Sequence, residues 1–286
     1  MASKNTNAMT PAERSYQRGR WAIYLFLAIV CLCQLLPFYL AITTSLKPSD
    51  DLSSALSMPT HDMAWSNWSE AVNEGGILKS VLNSVVVTVG TTALVCVLGA
   101  AAAYPLARRL TRFNKLVSAF ILSMMMIPPL SILVPLYSFL VKIGGVNNYW
   151  GIIVVLTATN LPLSVFLYTA FIKAIPPAID EAGELDGANR LQVFMRLVLP
   201  MLKPVTATVV IMTGSTVWND YALSSYILTD PSAQTIAPRV ASFFSANTNN
   251  LGVAAAASLI AAAPMVVAYM FLQRYFIAGM VAGAVK

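Results

Sequence analysis

Charge is scarce in this sequence. Of 286 residues, 18 are Lys or Arg and 12 are Asp or Glu, so charged side chains make up 10%, against about 25% in ordinary soluble domains. Histidine occurs once, at His61, and cysteine three times, at Cys31, Cys33 and Cys96. The cysteines lie inside apolar runs without metal-like partners and read as small buried hydrophobes. His61 has no second histidine, cysteine or carboxylate cluster beside it, so it reads as a solvated loop residue and no metal site is expected. No G-x-x-x-x-G-K-[ST] phosphate loop occurs, so the chain is not expected to bind ATP itself. Basic stripes with interleaved aromatics are missing too, which argues against a nucleic-acid partner. The apolar runs lack period-2 alternation, which excludes a membrane barrel.

What is present in excess is apolar surface: 57% of the residues are hydrophobic, with a mean hydropathy of +0.69. Six stretches, roughly 21–44, 82–107, 113–141, 149–173, 203–228 and 252–274, are expected to be transmembrane helices. Each reaches the ~20 residues needed to cross the hydrocarbon layer. Pro37, Pro128, Pro129, Pro135, Pro162 and Pro264 fall within them as kinks that neighbouring helices can tolerate. The first run is longer than a signal-peptide core and no small-x-small cleavage site follows, so it reads as a span. With the N-terminus inside, only Lys47, Lys79, Lys142 and Arg239 of the 18 basic residues lie outside. The positive-inside rule then places both termini in the cytoplasm. The organisation expected is a loose cytoplasmic tail over 1–20 and an all-α membrane domain over 21–286, with outside loops at about 45–81 and 229–251. Trp65 and Trp68 in the first of these fit an interfacial anchor. Gly99 with Ala103, Ala254 with Ala257, and Ala261–Ala263 form small-residue faces suited to close helix packing, within the bundle in preference to a subunit interface.

The acid is gathered in one place. Residues 176–204 read PPAIDEAGELDGANRLQVFMRLVLPMLKP, with Asp180, Glu181, Glu184 and Asp186 close together between two spans. Pro176 and Pro177 stop the fourth span and suit the first turn of a new helix. Asp180, Glu181 and Glu184 then fall early in that helix, where negative charge complements the dipole. Gly187 should end it. LQVFMRLVLP should form a second short helix stopped by Pro200, with Phe194, Leu197 and Val198 toward the bundle or membrane. Ile179, Ala182, Leu185 and Ala188 interleave the acids as an apolar stripe, which a purely solvated loop does not need. The predicted shape is helix–glycine–helix at the cytoplasmic surface, a docking element.

The stretch EAGELDGANRLQVFMRLVLP resembles the EAA loop of binding-protein-dependent ABC importer permeases, through Glu181, Ala182, Asp186, Gly187, Ala188, Phe194, Leu197, Leu199 and Pro200. Gly183 departs from the family, which usually has alanine there, and should loosen the helix by about 1 kcal/mol. Leu197 stands where isoleucine is common. LPLSVFLYTAFIKAIPPAIDEA, WNDY at Trp218–Tyr221 and QRYFIAGMVAGAVK at Gln273–Lys286 are also similar to the family; the last two point to its carbohydrate branch, as in the maltose-type second permease subunit. The resemblance covers about residues 20–286 and implies a MetI-like type I importer permease fold in a bacterial or archaeal cytoplasmic membrane. It further implies a coupling helix over Ile179, Asp180, Glu181, Ala182, Gly183, Glu184, Leu185, Asp186, Gly187 and Ala188 that docks a separate ABC ATPase dimer. Implied partners are that ATPase, which holds ATP and Mg, a second permease subunit in a heterodimer, an extracellular sugar-binding protein met by loop 229–251, and membrane lipid.

Asp220 is the clearest charged residue within a span, and Trp218 and Asn219 stand beside it, so the three are candidates for the substrate pathway. Asp220 falls near the outer boundary, where it could equally cap local structure. The function expected is ATP-driven uptake of a sugar or oligosaccharide, with hydrolysis on another subunit. The alternatives are a permease of the same family for a non-sugar solute, a secondary transporter, and a membrane scaffold. A secondary transporter needs coupling-ion groups at mid-membrane and often an internal repeat, and neither is visible.

Overall fold

The computed structural model describes residues 11–51, 53–59, 63–73, 75–246 and 250–284, and among these every regular element is helical. In chain order the elements are α1 (Pro11–Ser45), α2 (Ser66–Asn73), α3 (Ile77–Arg108), α4 (Arg112–Met124), a 3₁₀ turn (Pro129–Ile132), α5 (Leu133–Lys142), α6 (Tyr149–Ala174) and α7 (Ala178–Leu185). They continue with α8 (Arg190–Gln192), π-helical turns (Val193–Val198), α9 (Leu199–Met201), α10 (Lys203–Trp218), α11 (Ala222–Ile227), α12 (Ile236–Ala246) and α13 (Leu251–Ala284).

Four of these are long and apolar enough to cross a bilayer as single rods: Ile23–Ser45 of α1, all of α3, all of α6, and Leu251–Phe271 of α13. Two further crossings exist if each of two bent pairs is one span. The expected third span, 113–141, is not a continuous helix: Arg112–Met124 and Pro129–Lys142 are bent by 91°. The cause is local. Pro128 and Pro129 lack backbone N–H groups and push the preceding residue out of helical geometry. The expected fifth span, 203–228, ends at Trp218, and Arg190–Met201 joins Lys203–Trp218 through a bend of 73°. Pro200 does not stop its helix as expected. It lies within α9, and the chain turns at Leu202, where Pro204 opens the first turn of α10. Pro37, Pro105, Pro162 and Pro264 sit inside helices.

α3 and α6 form the central pair. Gly99 lets them meet, since a Cβ there would collide with the Ser164 side chain, and Ser164 Oγ donates to the Val95 carbonyl at 3.2 Å. One core cluster fills the end of the bundle near α7 and includes Ala103, Tyr168, Ile172, Val193, Val198 and Leu202. A second joins α3, α5, α6 and α11 through Val87, Leu140, Ile152, Leu156 and Ile227. A third ties α2, α3, α12 and α13 together through Ala71, Ile77, Phe243, Ala254 and Ala257. The small residues Gly99, Ala103, Ala254 and Ala257 are thus buried within the chain, as internal packing requires.

α1 stands apart: none of its spanning window is buried within the chain. Cys31 and Cys33 lie exposed on it, so they are not the buried hydrophobes expected, because the helix packs on the rest of the chain mainly through α13. Cys96 is half-buried. α1 begins at Pro11, inside the segment expected to be a loose tail. His61 lies outside the described residues.

Candidate functional site

The acidic segment folds as a helix, a glycine turn and a second helix. α7 opens at Pro177 and carries Asp180 and Glu181 in its first turn. It closes on Gly187, whose φ of 83° lies in the left-handed region that glycine occupies without strain. The Ala188 N–H donates to the Gly183 carbonyl at 3.0 Å and the Gly187 N–H to the Glu184 carbonyl at 3.1 Å, the paired bonds of a Schellman motif. A capping box follows at once. Asn189 Oδ1 accepts from the Gln192 N–H at 3.0 Å, and the Asn189 N–H donates to Gln192 Oε1 at 2.8 Å. The turn between the helices therefore has a defined geometry in which backbone donors and acceptors are paired.

Gly183 has a role that its sequence position hid. It is buried, and a Cβ there would stand 2.7 Å from Leu197 Cδ1 and 3.1 Å from Val193 Cγ2. α7 lies close on the π-helical segment, and a side chain at this position would have to displace Leu197 and press on the buried Val193. Phe194 and Val198 are buried as expected, and Leu197 covers Gly183 while keeping an exposed flank.

The expected apolar stripe divides between two faces. Ile179 and Ala188 pack against the first core cluster, whereas Ala182 and Leu185 point outward. Leu185 is 89% exposed, and Leu191, at 69%, is also uncovered. Glu181, Glu184 and Asp186 are exposed as well. Glu184 and Arg190 approach to 3.6 Å, a solvent-screened pair of little energetic weight.

Asp180 alone of the four acids turns inward. Its Oδ1 accepts from the Tyr104 hydroxyl at 2.7 Å, and its Oδ2 stands 2.6 Å from Arg108 Nη2. Arg108 Nη1 donates to the carbonyls of Ile172 at 3.1 Å and Ile175 at 2.9 Å, at the end of α6. The Tyr104 ring packs on Phe194 with centroids 5.1 Å apart. Beside this cluster lies a groove of 540 Å³ lined by Tyr104, Arg108, Arg109, Glu181, Glu184 and Leu191, among others. Nothing in the sequence links Tyr104 or Arg108 to Asp180; the fold brings them together.

At the opposite end of the bundle, Trp218 is buried and its Nε1–H donates to the Ala261 carbonyl at 3.3 Å. Asn219 is exposed, with Nδ2 donating to the Ser215 carbonyl at 2.9 Å. Asp220 caps α11: its Oδ2 accepts from the Ser224 N–H at 2.8 Å and the Ser224 hydroxyl at 2.7 Å. Trp218 and Asn219 line a groove of 610 Å³ with Phe38, Ser215, Ser258 and Tyr269; Asp220 does not line it.

Residues 229–246 of the expected outside loop are packed and include α12. Asn83 Nδ2 donates to the carbonyls of Ser232 at 3.1 Å and Gln234 at 2.9 Å, while Asn83 Oδ1 accepts from the Tyr149 hydroxyl at 2.7 Å. The Ile236 N–H donates to Ser84 Oγ at 2.7 Å, and Arg239 Nε–H to the Gly75 carbonyl at 2.7 Å. These bonds latch α12 onto the start of α3, with Ile236 and Phe243 buried.

Residues 95–281 match the family described as "Binding-protein-dependent transport system inner membrane component". The chain belongs to this family. It is 44% identical over 265 residues to the melibiose/raffinose/stachyose import permease protein MelC of Bacillus subtilis, across 92% of this chain and 96% of that protein. It is 30% identical over 268 residues to the multiple sugar-binding transport system permease protein MsmG of Streptococcus mutans, across 92% of this chain and 96% of that protein. Its fold matches a chain in the crystal structure of a bacterial ABC transporter involved in the import of the acidic polysaccharide alginate, with a TM-score of 0.78 at 20% identity, over 95% of this chain and all of the other. This family member is thus a helical, multi-pass membrane permease component, not an ATPase.

Proposed function

We propose that this family member is the membrane-spanning subunit of an ATP-driven importer that takes up a sugar or oligosaccharide handed over by an extracellular binding protein. α7 is the contact helix for a separate ATPase dimer, which holds ATP and Mg, and a second permease subunit completes the pathway. The observation that carries this reading is the construction of α7: a short helix with a defined turn, anchored on its inner face, presenting Leu185 and three carboxylates outward. An exposed leucine among acids on a rigid mount is a surface shaped for a partner's cleft. With each bent pair taken as one crossing, six crossings leave both termini on the same side, and the charge bias supports the cytoplasm as the side of the termini and of α7. The membrane is then the cytoplasmic membrane of a bacterium or archaeon.

Trp218 and Asn219 stand at the outer mouth of the pathway, where an aromatic wall and amide suit a sugar face, and Asp220 serves them by fixing α11. Melibiose, raffinose and stachyose, the substrates in the name of the relative at 44% identity, are the first to test. The experiment is uptake into proteoliposomes containing the copurified complex and its binding protein. ATP-dependent accumulation of labelled sugar is expected; accumulation driven by an ion gradient without ATP would refute the assignment.

A further inference from the structure

We propose that Arg108, Tyr104 and Asp180 form a strap that carries movement of α7 into α3 and α6, making Arg108 and Tyr104 positioning residues for energy coupling. The inference rests on the reading of α7 as an ATPase-contact helix and adds the route by which its motion reaches the membrane.

Three features argue for a route in preference to a brace. The first is convergence. One guanidinium at the end of α3 meets the Asp180 carboxylate of α7 at 2.6 Å and two carbonyls at the end of α6 at 3.1 and 2.9 Å. The Ile175 carbonyl lies just past the end of α6, where acceptors lack intrahelical partners, so Arg108 fills a need there while holding α7; the Ile172 carbonyl it shares with the Ile175 N–H at 3.1 Å. A lysine could supply the charge but not the planar fork that reaches all three oxygens. The second is environment. The Arg108 and Asp180 side chains are each only 14% exposed, so their attraction is weakly screened. The other carboxylates of α7 face solvent, and its Glu184–Arg190 pair is open and long. Among the carboxylates of α7, Asp180 is therefore the one that can pass a pull to α3. The third is completeness. Tyr104, one turn before Arg108 on α3, binds the second oxygen of the same carboxylate at 2.7 Å, and its ring lies on Phe194 of the following segment. α7 is gripped by α3 at two points, and the connection does not depend on the short Ile175–Pro177 linker alone.

The test uses the whole complex in proteoliposomes, with raffinose as the transported probe and sugar moved per ATP hydrolysed as the readout. Arg108→Gln and Asp180→Asn should each lower that ratio by about tenfold or more, the scale of a coupling free energy between sites. The double variant should be no worse than the poorer single one, as for two residues in one interaction. Arg108→Lys should recover part of the loss. An unchanged ratio in both single variants, or fully additive losses, would overturn the proposal. A brace needed only for folding would lower the yield of complex and leave the ratio of the surviving complex unchanged. Should Arg108→Gln fail to accumulate, Tyr104→Phe decides, because it removes one hydroxyl and keeps the ring on Phe194: a lowered ratio supports the strap and an unaltered one sinks it. If Leu185→Asp loses the ATPase while every strap variant keeps the wild-type ratio, the contact-helix reading stands and only the strap fails.

Discussion

Gly187 holds a φ of 83°, while proline is confined near −65°. Gly187→Pro must therefore break the Schellman turn that orients α7. The expected outcome is a protein that still inserts and assembles but loses about tenfold or more in uptake relative to ATP hydrolysis. Normal raffinose uptake per ATP in that variant would count heavily against a coupling role for the turn. Gly183 is a sharper case. Helix propensity alone favours Gly183→Ala by about 1 kcal/mol. The tip of Leu197, 2.7 Å away, can swing on its exposed flank, but Val193 Cγ2 at 3.1 Å belongs to a fully buried β-branched side chain with little room to give, and overpacking there costs about 1–3 kcal/mol. Thermal unfolding of the purified complex should show Gly183→Ala destabilised, and partial recovery when Leu197→Ala is added. A stabilised single variant would mean that α7 and the π-helical segment are not in this contact.

At the scale of elements, punctuation was legible and partnership was not. Pro176, Pro177 and Gly187 marked the ends of α7 in the sequence because proline restricts the local backbone and glycine opens the left-handed region to it. The bend at Pro128 and Pro129 follows from the same rule, yet the apolar run through it reads as one span, since hydropathy is blind to direction. Asp180 and Glu181 are adjacent acids in the first turn of one helix, and nothing in the sequence says which of them turns inward. Only the place of Asp180 on the inner face of α7, opposite Arg108 and Tyr104, separates them. Asp220 shows the reverse: its charge within a span suggests a pathway and its place near the boundary a local cap, and the fold uses it to hold the first turn of α11. The stretch expected as an outside loop holds a packed helix, α12. Deleting 236–248 would remove Ile236 and Phe243 from the third core cluster, so the deletion tests folding. Phe244, exposed on the same helix, is the better probe of docking. Phe244→Glu should leave the yield of complex near wild type and reduce stimulation of ATP hydrolysis by the binding protein several-fold, about the effect of weakening one interface contact by 1 kcal/mol. Unreduced stimulation would remove this part of α12 from the binding-protein interface.

For the molecule as a whole, composition and charge bias carried the class: a multi-pass helical protein needs little charge, and what it has is sorted by side. The membrane surface left uncovered within one chain, above all along α1, fits a subunit that completes its packing with another permease and lipid. The central claim is that α7 is the handle by which a separate ATPase moves this bundle. The most direct measurement is copurification in mild detergent of the wild-type protein and of Leu185→Asp, which places a charge at the most exposed apolar point of α7. The account predicts that an ATPase and a second permease come with the wild type, and that the variant keeps the permease but loses most of the ATPase. An ATPase retained in full by Leu185→Asp, or absent from the wild type, would contradict it.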